Sequence, residues 1–152
     1  MMVGCGSQET QSGATKEMPK AVSNGQVAAL KNQHHIEQGL EHLRDANIAA
    51  AIKSFDEAIK QNPRDPQGYL ILGETYLRIK DYNRAIDTFS AVTRVAPQNG
   101  EGFYLLAITY GVMGNKDLAR QNAQKSIELF QEEKNQAKFV RSVALLNGLS
   151  KE

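Results

Sequence analysis

Apolar and polar positions along this chain follow the 3.6-residue period of amphipathic helices, most clearly between Pro66 and Asn99. Tyr69, Leu72, Gly73 and Tyr76 are spaced three, one and three residues apart, which places them on one helix face. Ala85, Phe89 and Val92 form a matching stripe on a second helix. Gly73 and Ala85 are small enough to let two backbones approach closely. The rings of Tyr76 and Phe89 then fill the space beside that contact. Pro97 cannot continue a helix and ends the second one.

The pattern returns at a period of 34 residues. One period earlier stand Gly39, His42, Ala51, Phe55 and Pro63; one period later stand Ala107, Tyr110 and Ala119. A fixed period of this length marks a stack of helical units, none of which can bury its apolar face alone. The units run over about 32–65, 66–99 and 100–133. Asn47, Asp81 and Asn115 lie one period apart, each just before a second helix, where a side-chain oxygen can accept an unpaired amide of the first turn. Asp65 and Asn99 hold the same place before first helices, and Pro66 takes the favoured first helical position.

The pattern predicts helices from about Gln26 to Arg44, capped by Ser23 or Asn24, and then near 48–61, 66–79, 82–95, 100–113 and 116–132. The first begins before the repeat frame requires it and so overhangs the stack. In the third unit Ala123 stands where Phe89 does, and Gln131 stands where Pro97 does. Its last helix is therefore expected to run past the usual stop. A seventh helix is expected from Lys134 to about Leu149, too short for a further unit, capping the apolar face of the last one. Its apolar stripe is read as Ala137, Val140, Ala144 and Leu145, with Lys134, Lys138 and Arg141 toward solvent.

These columns resemble the tetratricopeptide repeat (TPR) family, whose repeat has this length and this aromatic, Leu-Gly, Tyr, Ala, Phe, Pro order. The resemblance covers about 100 residues and is most specific in the central unit. It implies an all-α fold over residues 26–150, an α-solenoid of three TPR helix pairs plus a C-terminal capping helix. In that family the first helices line a concave groove that holds a peptide or a partner helix. The positions on these helices left over from the internal stripe are Ile36, Leu40 and Leu43 in the first unit. They are Leu70, Glu74, Leu77 and Arg78 in the second, and Glu101, Tyr104, Ile108 and Val112 in the third. Such a mostly apolar groove suits an amphipathic helix or an extended apolar peptide. Alternatively, neighbouring units, the amino-terminal segment or a second copy of the chain cover these leucines. Some TPR co-chaperones grip the carboxylate end of chaperone tails through Lys, Asn and Arg. The matching positions here are Ile36, Leu40, Glu74 and Glu101, and two acidic residues repel such a tail.

Charge narrows the choice of partner. Lys plus Arg number 18 and Asp plus Glu 17, so the clustered positive charge that phosphate backbones require is missing and no nucleic-acid partner is expected. No stretch approaches the ~20 apolar residues of a membrane-spanning helix. A single cysteine excludes an internal disulfide framework and a cysteine-based structural zinc site. No Gly-rich phosphate loop, HExxH or nucleophile with a plausible base is present, so the chain is read as no enzyme and as binding no cofactor. His34, His35 and His42 crowd one helix, and His35 and His42 occupy columns filled by Tyr in the central unit, so no metal is expected.

Residues 1–25 are rich in Gly, Ser, Gln and Thr and carry too little apolar surface to offset the entropy of ordering, so a disordered tether is expected. Within it, Met2-Val3-Gly4-Cys5-Gly6-Ser7 looks like the end of a bacterial lipoprotein signal, with a small residue before a lipid-accepting cysteine. The charged and apolar segments of a signal peptide do not precede it. The expectation is a protein-interaction scaffold, tethered at the bacterial envelope as a lipoprotein through Cys5; the alternative location is the cytoplasm. A homo-oligomeric structural protein and a non-catalytic subunit of an enzyme complex are the alternative functions.

Overall fold

The computed structural model describes residues 23–151. Cys5, and the tether as far as residue 22, lie outside the described residues. Among the described residues there are seven helices and no strand: α1 (Asn24–Arg44), α2 (Ile48–Gln61), α3 (Pro66–Arg78), α4 (Tyr82–Val95), α5 (Gly100–Val112), α6 (Lys116–Glu132) and α7 (Gln136–Leu149). Each packs chiefly on its sequence neighbours, and α5 also touches both α3 and α7. The result is an all-α solenoid of helix pairs.

The five expected caps are all made. Asn47, Asp81 and Asn115 accept from the backbone amides of Ala50, Arg84 and Leu118, and Asp65 and Asn99 accept from those of Gln67 and Gly102. Ser23 caps α1 and exchanges hydrogen bonds with Gln26 as a capping box. Asp65 has a second task. While Oδ1 caps α3, Oδ2 accepts from the buried Asn32 side chain at 2.6 Å and so ties the first unit to the second.

The turns inside the pairs are one structure repeated. Ala46, Lys80 and Gly114 take left-handed backbones, with φ of 58°, 63° and 79°. The next amide donates five residues back, from Asn47 to His42, Asp81 to Tyr76 and Asn115 to Tyr110. The α6–α7 turn has the same form: Lys134 has φ 56° and Asn135 donates to the Phe130 carbonyl at 2.9 Å. Thus α7 follows α6 in the way that a second helix follows a first.

Phe55 and Phe89 are fully buried, each against the glycine of the preceding helix, Gly39 and Gly73. With Ala51, Leu72, Tyr76, Ala85, Leu105 and Leu106 they form one continuous core. In the third pair Ala107 and Ala123 are both fully buried and no ring stands in the Phe89 column. As expected, α6 runs on to Glu132, because Gln131 does not stop it as Pro97 stops α4. The extension brings its own ring, Phe130, against Gly100 at the start of α5.

The expected apolar stripe of α7 needs correction. In α7, Ala137, Val140 and Ala144 are exposed, Val140 by 53%, and of the expected stripe only Leu145 is half-buried. The inward side carries Phe139, Ser142, Val143, Leu146 and Leu149. Both sets keep helical spacing, and the set with more large side chains removes more apolar area from water. Ser142 is the misfit, since its Oγ is fully buried and makes no hydrogen bond. Ser142→Ala is therefore expected to stabilise the fold by about 1 kcal/mol, read from the urea midpoint at unchanged slope.

Candidate functional site

The groove positions lie on α1, α3 and α5. Leu43, Leu70, Leu77, Tyr104 and Ile108 are half-buried, packed on the core from outside. They form an apolar floor whose inner side is already held. Leu40, Glu74, Arg78 and Val112 are exposed, Val112 by 57%. Ile36 departs from the expectation. It is only 4% exposed and belongs to the core, so it is not available to a partner. Ile36 stands in the same column as Leu70 and Tyr104, yet it alone of the three is buried.

The floor is crossed by a set of charges. Glu101 at the start of α5 receives two bonds from Arg141 Nη2, at 2.7 and 2.9 Å, and has Lys138 Nζ at 3.3 Å. The Arg141 guanidinium lies over the Tyr104 ring, 4.1 Å from its centre. Lys138 and Arg141 were expected to face solvent. Although both side chains remain partly exposed, they lean onto α5 and pair with Glu101, beside the expected groove positions. Sequence reasoning missed them as groove residues. Their spacing of three puts them on one face of a helix, and the acidic Glu101 is the only local signal of where that face goes.

Glu74 is one helix away from this group. A cavity of about 330 Å³ opens beside it, lined by Gln67, Leu70, Glu101, Phe130 and Lys138 among others. Withdrawal from water in this concavity pushes the Glu74 carboxyl upward, and the negative charge of Glu101 adds to the rise; Arg78 and Arg141 oppose it. The folded state therefore holds the Glu74 proton more tightly than the unfolded chain does. The stability this gives is present below the ordinary glutamate value of 4.5 and is lost as pH rises through the elevated folded value. Accordingly, Glu74→Gln is expected to melt above the parent protein at neutral pH, the difference vanishing on acidification. Thermal melts of the two proteins over a pH series check this.

Other chemistry is sparse. His34 and His35 are 5.9 Å apart between ring centres, and His35 Nδ1 lies 3.3 Å from Gln38 Oε1. Among the described residues, no group of three or more His, Cys, Asp or Glu side chains is placed to hold a metal ion. Among them, too, no helix is long and apolar enough to cross a membrane.

Successive helix pairs, repeated turns and a line of first helices along one face define an α-solenoid repeat protein. Residues 36–100 match the family described as Tetratricopeptide repeat. No curated protein matches the sequence. Among solved structures, the TPR2B domain of yeast Sti1, in complex with pHsp70, is similar at 17% identity and a TM-score of 0.74, covering 80% of this chain and 98% of that one. PcrH from Pseudomonas aeruginosa is similar at 17% identity and a TM-score of 0.72, covering 78% and 91%. PcrH in complex with the chaperone binding region of PopD gives 16% and 0.72, covering 88% and 97%. Identities this low are likenesses of fold.

Proposed function

We propose that this chain is a protein-interaction module that holds a peptide or helix of a partner in its concave groove and carries out no chemistry of its own. The observation that carries this is the apolar floor of Leu43, Leu70, Leu77 and Ile108, half-open to solvent along successive first helices and bordered by exposed Leu40 and Val112. Two proteins of similar fold were solved with a partner, Sti1 with pHsp70 and PcrH with a region of PopD, which supports the same use here. The test is Leu77→Glu combined with Ile108→Glu. A partner found by affinity capture and then purified is expected to bind the parent protein and to lose binding to the double variant, whose helical circular dichroism is unchanged. Equal binding by both would move the site away from the groove.

A second reading concerns location. The run Met2-Val3-Gly4-Cys5-Gly6-Ser7 favours acylation of Cys5, which would tether the module to the bacterial envelope. Intact mass measurement on protein from its native cell decides this: the expected result is added acyl mass on Cys5, and a free thiol ends the reading.

A further inference from the structure

We infer that the segment held in the groove carries a lysine or arginine that sits on the Glu74 carboxylate, flanked by apolar residues. This rests on the groove reading above and adds the chemistry of the occupant.

The first support is the position of Glu74. Leu70 and Leu77 lie four residues before and three after it, on the same face of α3. Ile108 stands in the matching column of α5. A carboxylate is thus set in the middle of the apolar floor, itself lining the cavity that α3 shares with the start of α5, the end of α6 and Lys138 of α7. Glu74 makes no ion pair or hydrogen bond among the described residues, whereas Glu101 has two cationic partners.

The second support is the commitment of the nearby cations. Arg141 gives two bonds to Glu101 and stacks on Tyr104, so its planar fork is used on both its edge and its face. Lys138 is paired with Glu101 as well. Arg78 lies one turn beyond Glu74 on α3 and is exposed. A pairing there on the helix surface is weak and competes poorly with a ligand. A carboxylate with no directly bonded cation, set among apolar side chains with a second acid beside it, favours an occupant that supplies a positive charge. The aliphatic stem of a lysine or arginine can lie along Leu70 and Leu77 while its head reaches Glu74. An acidic segment meets repulsion at the same place.

The experiment is a selection from a library of displayed random peptides on the immobilised protein, followed by fluorescence anisotropy on the best peptide. The expected consensus has one Lys or Arg between apolar residues. Affinity is expected to fall about ten-fold or more with Glu74→Gln. It should fall equally when the peptide lysine is replaced by norleucine (or an arginine by citrulline), with little further loss when both changes are combined. Glu74→Lys should turn the selected residue acidic. Thermal melts of Glu74→Gln, expected no lower than those of the parent, separate such losses from unfolding. A consensus with no basic position, an acidic consensus, or indifference to Glu74→Gln would overturn the inference; the groove reading then still stands if Leu77→Glu with Ile108→Glu abolishes binding. Peptides that bind that double variant undiminished, or a selection that yields no consensus, would sink both.

Discussion

Phe89→Ala is expected to lower the unfolding free energy by about 3–5 kcal/mol. Phe89 is fully buried at the centre of the continuous core, with Leu72, Tyr76, Ala85, Leu105 and Leu106 in the same cluster. Removing the ring forfeits its transfer from water and leaves a cavity that the rigid helices around it can close only in part. Typical domains hold only 5–15 kcal/mol in all, so one side chain carries a large share of the total. The position in the stack adds to the effect. Stability in a solenoid is a sum over units and the contacts between neighbours, and the second unit touches both others. Weakening it should therefore uncouple the two ends and broaden the urea transition, which the equivalent change in an end unit, Phe55→Ala, would do less. Urea unfolding followed by circular dichroism measures both quantities. A loss below about 1 kcal/mol would mean that the site collapses or that the ring is not buried in solution.

Much of this core could be read from the sequence because each contact repeats. A small residue facing a ring 16 positions later, Gly39 with Phe55 and Gly73 with Phe89, is a short-range pair within one helical hairpin. The five caps are just as local. What could not be read depends on distant parts of the chain. Residue 137 onward offers two apolar stripes at helical spacing, and periodicity does not choose between Ala137–Val140–Ala144 and Phe139–Val143–Leu146. Docking on α6 chooses. The groove shows the same limit. Its columns follow from helical geometry, but the burial of Ile36 and the reach of Arg141 to Glu101, 40 residues away, belong to packing. One signal was available and unused: Lys134-Asn135 repeats the turn of Lys80-Asp81, and so foretells that α7 joins α6 as a pair.

The third unit suggests the sharper experiment. Where the central unit has Gly73 and Phe89, it has Ala107 and Ala123, one residue larger and the other smaller. Gly73→Ala alone sets two effects against each other. Alanine in a helix interior gains about 1 kcal/mol over glycine. Its methyl, however, would lie 2.7 Å from Phe89 Cδ1, in a place where the ring is wholly enclosed and cannot swing away. Overpacking of that kind costs about 1–3 kcal/mol, and a contact this short belongs at the upper end. The single change is therefore expected to destabilise by about 2 kcal/mol. In a Phe89→Ala background the clash is gone, the methyl fills part of the cavity, and the helix gain remains. The same Gly73→Ala change should there stabilise by about 1 kcal/mol, a reversal of sign with a coupling energy near 3 kcal/mol. Four urea curves complete the cycle. If Gly73→Ala has the same sign in both backgrounds, close contact between glycine and ring does not set the spacing of these helices, and the pairing of small and large residues along the repeat has some other origin.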